Sequence, residues 1–165
     1  MTTRALIAAT AGGATFASVG VLAHAGPLAL ARLAVLGAAL VSAALFDLAQ
    51  RRIPNRIVLP AAATCAALTL AAGAPFALVA GLATILVLLI VSLRWPAALG
   101  MGDVKLALLL VLGLDGDALR ALAIGVALAA LVGGVLVVRG GRQAWKTSLP
   151  LAPFLATGAL LVLIT

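Results

Sequence analysis

Seven apolar stretches follow one another along this chain, each bounded by charge, glycine or proline, and they limit its fold more tightly than any other feature. They run Ala5 to Ala23, Leu28 to Leu48, Ile57 to Gly73, Phe76 to Leu93, Ala97 to Leu114, Ala118 to Val138 and Leu149 to Ile164. Each is close to the roughly 20 residues that cross about 30 Å of hydrocarbon. Lipid offers no partners for backbone N–H and C=O groups, so each stretch is expected to be helical, because an open sheet would leave its edges unpaired. A chain of 165 residues that is 65% hydrophobic and 9% charged cannot hide that much apolar surface in one small water-soluble core. The fold expected is an all-α, polytopic transmembrane helix bundle of about seven spans, forming a single domain over residues 1–165. The count drops to six if the first span is removed or the fifth is re-entrant.

Both exceptions have a sequence basis. Arg4, the first apolar run and Ala23-His24-Ala25 mimic a secretory signal with its cleavage site. The run from Ala5 is longer than a signal-peptide core, so a retained helix is the expectation. The fifth span crosses if it starts at Ala97 and is too short if it starts at Val104. Gly100-Met101-Gly102 weakens the helix there, which a membrane tolerates where protein or a wet cavity covers the backbone.

The basic residues give an orientation. Arg4, Arg51, Arg52, Arg56, Arg94, Arg139, Arg142 and Lys146 fall in alternate connections, Lys105 lies close to the same side, and only Arg32 and Arg120 fall towards the other. The positive-inside rule then places the first set in the cytosol and the C-terminus outside. Trp95 and Trp145 lie beside those cytosolic connections, as interfacial aromatic residues do. The net charge of +7 forms no stripe, so nucleic acid is not an expected partner. The lipid bilayer is.

A single cysteine, Cys65, inside an apolar run reads as a small packing residue, and a single histidine, His24, as an interfacial loop residue. Neither a metal site nor a Ser-His-Asp triad is expected from this set.

All four acidic residues are aspartates. Asp115 and Asp117 share a short outer connection, where Asp117 is placed to cap the next helix and the loop supplies too few oxygens for calcium. Asp47 and Asp103 instead sit at the cytosolic ends of apolar spans, expensive positions that mark a functional candidate. The bland alternatives are an Asp47–Arg51 pair one helical turn apart and Asp103 as an N-cap for Val104 onward. If the two carboxyls converge they cannot both ionise cheaply and share a proton. That state suits hydrolysis: one member takes a proton from an attacking water, while the other protonates the carbonyl oxygen and later the leaving amine.

Asp47 followed by Arg52-Ile53-Pro54-Asn55, then Gly100-Met101-Gly102-Asp103-Val104-Lys105, then Pro150-Leu151-Ala152-Pro153-Phe154-Leu155-Ala156, resembles the type IV prepilin peptidase family in order and spacing. That family belongs to the GxGD class of intramembrane aspartyl proteases, and the resemblance runs from about Leu45 to the C-terminus. It implies an aspartic-type endopeptidase that removes the basic leader of prepilin-like proteins at the cytosolic face of the bacterial inner (plasma) membrane. By that resemblance Asp47 and Asp103 are the catalytic dyad, with base and acid roles unapportioned, and no cofactor or metal is required.

Softer assignments follow for the neighbours. Gly100 and Gly102 would let an extended substrate backbone approach Asp103, or merely open the helix end. Pro54 would fix the exit from the second helix and Asn55 would bond nearby backbone. Lys105 would tune the dyad, pair with an acidic substrate residue, or snorkel to headgroups. Pro150 and Pro153 would shape the start of the last helix near the site. Larger family members carry a cysteine-rich cytosolic region and an N-methyltransferase function that nothing here matches. The expectation is therefore cleavage without methylation, as in the small peptidases of Flp or tight-adherence pili, with pilus assembly proteins as further partners. An archaeal preflagellin substrate stays open. So do two readings from other classes, a proton-coupled membrane carrier and a non-catalytic pilus-assembly membrane protein.

Overall fold

The computed structural model describes residues 3–22, 25–95, 100–140 and 149–165. His24, Trp145, Arg142, Lys146 and the expected fifth-span start at Ala97 lie outside the described residues. Among those described, the structure is all-helical. The helices are α1 (Thr3–Leu22), α2 (Pro27–Gln50), α3 (Asn55–Ala71), α4 (Pro75–Arg94), α5 (Met101–Leu114), α6 (Ala118–Gly140) and α7 (Ala152–Ile164). A 3-10 turn, Asp115–Asp117, joins α5 to α6. Two stretches are long and apolar enough to cross a membrane: Pro27–Gln50 and the run Met101–Gly140 that contains this turn.

The boundaries follow local chemistry. Proline opens α2 at Pro27 and α4 at Pro75, where the missing N–H would have had no helical acceptor. Arg51 closes α2 in the left-handed region, at φ 52°, and its N–H returns to the Asp47 carbonyl. Gly73, at φ 72°, follows α3. The last helix begins at Ala152 rather than at Leu149 as the apolar run implies, because Leu149 and Pro150 stay outside the helix and Pro153 occupies its first turn. The expected N-cap role of Asp103 is also corrected: Gly100 is the N-cap of α5 and Asp103 lies inside its first turn.

Two polar clusters mark opposite ends of the bundle and fix the helix directions. At one end Arg32, early in α2, donates from Nη1 to Thr69 Oγ1 near the end of α3 (2.9 Å) and to Asp115 Oδ1 after α5 (2.8 Å), with Nη2 also on the Asp115 carboxylate. At the other, Asp47, late in α2, meets Ala152 at the start of α7, while Asn55 at the start of α3 meets Lys105 early in α5. So α2 runs antiparallel to α3, α5 and α7. The clusters are separated along α2 by about 22 Å.

The core lies between α2, α3, α5 and α7, where Leu36, Leu40, Val58, Leu106, Leu109, Leu110 and Leu155 are fully buried. Cys65 is buried among them, as its apolar setting implied. The α1 and α2 backbones approach closely at Gly12 and Gly37. A Cβ on Gly37 would lie 2.5 Å from the Gly12 carbonyl oxygen and 2.6 Å from the buried Phe16 ring. The outward faces of α4 and α6 expose Val79, Leu82, Leu86, Ile90 and Leu93, and Leu131, Val135 and Val138. Contiguous apolar surface of that kind suits lipid rather than water.

Candidate active site

Four polypeptide segments converge at the Asp47 end of the bundle. Asp47 lies in the last turn of α2 and is only 7% exposed. Four residues on, the left-handed Arg51 swings the chain away, and Arg52-Ile53-Pro54 link to α3. Pro54, extended at φ −75° and ψ 121°, caps α3 and accepts from the N–H groups of Ile57 (3.1 Å) and Val58 (3.3 Å). Asn55 is the first residue of α3, and its Oδ1 accepts from Lys105 Nζ at 2.9 Å. The sequence expectation of an Asn55 bond to nearby backbone gives way to this side-chain link between α3 and α5.

Gly100 is extended, at φ −71° and ψ 146°, and its carbonyl accepts from the N–H groups of Asp103 (3.0 Å) and Val104 (3.3 Å). This places Asp103 in the first turn of α5 with its carboxylate folded back over Gly100, where a Cβ would come within 3.3 Å of Oδ2. A Cβ on Gly102 would meet the Ile53 side chain at 3.1 Å, so the glycine lets the α2–α3 link lie against the start of α5. Both glycines therefore serve close packing around Asp103.

Asp47 and Asp103 open onto one cavity of about 490 Å³. Its walls also carry three cations (Arg51, Arg52 and Lys105), together with Ile53 and Asn55, the two glycines Gly100 and Gly102, and the segment Leu149-Pro150-Leu151. Pro54 and Pro153 stand one step back, as the cap of α3 and the second residue of α7. Among the described residues no group of three or more His, Cys, Asp or Glu side chains comes together. Asp115 and Asp117 lie at the far end. There Asp117 pairs with Arg120 at 3.2 Å, one turn into α6.

One participant is invisible to residue-type reasoning. The backbone N–H of Ala152 donates to Asp47 Oδ2 at 3.0 Å, a buried bond between α7 and α2. A main-chain donor leaves no signature in the sequence beyond the proline-rich start of its helix. The Arg32–Asp115 pair was also missed as a pair, although a lone arginine inside an apolar run is itself a signal that an anion lies nearby.

A family model described as the type IV leader peptidase family matches residues 34–138, well over half of the chain. The chain belongs to the type IV leader peptidase family. No curated protein and no solved structure matches it significantly. The match makes this a leader peptidase-type protease, of the aspartic type in this family, and a membrane-associated one. The matched residues of this leader peptidase contain Asp47, the Arg52-Ile53-Pro54-Asn55 link and Gly100 to Lys105, and end before Pro150.

Proposed function

We propose that the chain is an aspartic endopeptidase in which Asp47 and Asp103 form the catalytic dyad, cutting the basic leader from Flp or tight-adherence-type prepilins. The observation that carries this reading is the convergence of two carboxylates from different helices on one cavity at the end of the bundle rich in arginine. A water between them is polarised by one carboxylate as its oxygen attacks the scissile carbonyl carbon, and the other carboxyl protonates the carbonyl oxygen. Collapse of the tetrahedral intermediate breaks the C–N bond as the amine takes up a proton from the dyad. Gly100 and Gly102, Lys105, Asn55, Pro54 and Pro153 shape the site around the pair.

In this reading the seven helices are seven membrane spans of the bacterial inner membrane. The arginines at the Asp47 end support an orientation with the cavity at the cytosolic face, where a prepilin presents its basic leader. The chemistry is cleavage without methylation. Purified enzyme in proteoliposomes with a tagged prepilin provides the test: Asp47→Asn and Asp103→Asn should each lower the cleavage rate by about a thousandfold or more. Wild-type processing by either variant would refute the assignment. Proton flux that vanished in the same variants, without any cleavage by the parent, would support a carrier instead.

A further inference from the structure

We infer that the backbone N–H of Ala152 is a positioning group of this peptidase, fixing the Asp47 carboxylate through Oδ2 so that Oδ1 is the oxygen that exchanges the proton. The inference rests on the reading of Asp47 as a catalytic residue, and it adds to the site an element beyond the residues the family model matches.

The start of α7 is built to offer this one donor. The first N–H groups of any helix lack intrahelical acceptors. In α7 the second residue, Pro153, has no N–H, and those of Phe154 and Leu155 both go to the Leu151 carbonyl at 3.1 Å. Ala152 remains, and its donor meets Asp47 Oδ2 at 3.0 Å. The residue is fully buried, so no solvent substitutes for the carboxylate, and an unpaired buried N–H would itself be costly. Donor and acceptor hold each other across 105 positions of sequence.

An oxygen that accepts an N–H along its lone pair cannot also present a proton in that direction. The bond holds the carboxylate in one orientation and, by drawing electron density to Oδ2, leaves Oδ1 the more basic oxygen, so proton transfer to or from water passes through Oδ1. Orientation of this kind acts on the chemical step and leaves substrate binding alone.

Replacing Ala152 by its α-hydroxy counterpart, lactic acid, through nonsense suppression exchanges the N–H for an ester oxygen and leaves the side chain unchanged. In proteoliposomes with a tagged prepilin, kcat should fall about tenfold or more, as for loss of one charge-assisted hydrogen bond, with KM within twofold of wild type. The matching ester at Phe154 removes a donor from the same helical turn without touching Asp47, and its kcat should stay within twofold. A kcat within twofold of wild type for the Ala152 ester would overturn the inference. So would equal losses for both esters with equally lowered melting temperatures, which would make the bond purely structural. If Asp47→Asn cleaves normally, the reading of the dyad has failed, whatever the esters do.

Discussion

Gly37→Ala adds a single methyl group where α1 and α2 are closest. The new Cβ would lie 2.5 Å from the Gly12 carbonyl oxygen and 2.6 Å from the Phe16 ring, against the 3.4 Å at which ordinary contact begins. The obstructing oxygen belongs to backbone, so no rotamer relieves it, and α1 must retreat by about 0.9 Å, a gap that forfeits a quarter to a half of each dispersion contact it opens. Overpacking of this kind costs about 1–3 kcal/mol. Gly134→Ala is the comparison, because nothing lies within 4 Å of its Cβ position inside α6, and alanine there gains up to about 1 kcal/mol of helix propensity. Two identical chemical changes should therefore move stability in opposite directions, with a separation of about 3 kcal/mol. Unfolding in mixed micelles by titrating SDS, followed by circular dichroism, measures both. Since neither glycine lines the cavity, the folded fraction of each variant should cleave prepilin at the parent rate. A Gly37→Ala protein as stable as its parent, or shifts of the same sign in both, would refute the packing argument.

Asp115→Asn leaves Arg32, 12% exposed and with its Nε already lacking a partner among the described residues, without its counter-charge. The cost should be about 2–3 kcal/mol, below the value for a fully buried pair because Asp115 is 33% exposed. The double replacement Arg32→Met with Asp115→Leu should cost less than either change alone, and a coupling energy near zero in that double-mutant cycle would argue against the pair. Lys105→Met and Asn55→Ala should each slow leader cleavage several-fold, and their combination should do no more than one alone; additive losses in a cleavage assay would show that the two act separately.

How far the sequence foretold the molecule depended on whether a feature announces itself by residue type. Helices came through because apolar runs bounded by proline and arginine leave the backbone one way to satisfy itself, and Pro27, Pro75 and Arg51 stand at the ends that this rule implies. That Asp47 and Asp103 each face a polar cavity at the same end was foreseeable because charge in an apolar span needs a wet or polar destination, whereas their sharing one cavity depends on the packing of α2 on α5. Contacts between main chain and side chain were not, as with Ala152 and Asp47, since any residue except proline carries the same donor. Pairings across long separations were equally hidden. Asn55 and Lys105 each had several chemically reasonable partners, and only the packing of α3 on α5 selected one.

The Arg32–Asp115 contact also has a temporal side. The two residues are 83 positions apart, and the arginine is synthesised first. At about 5–20 residues per second, roughly 4–17 s of translation separate them. On the proposed topology α2 enters the bilayer during that interval with a cation near its outer end and no anion to meet it. The long arginine side chain reaches the headgroups meanwhile. On that topology the ion pair at the outer end can form only once α5 and Asp115 have been made, after the segment bearing Asp103.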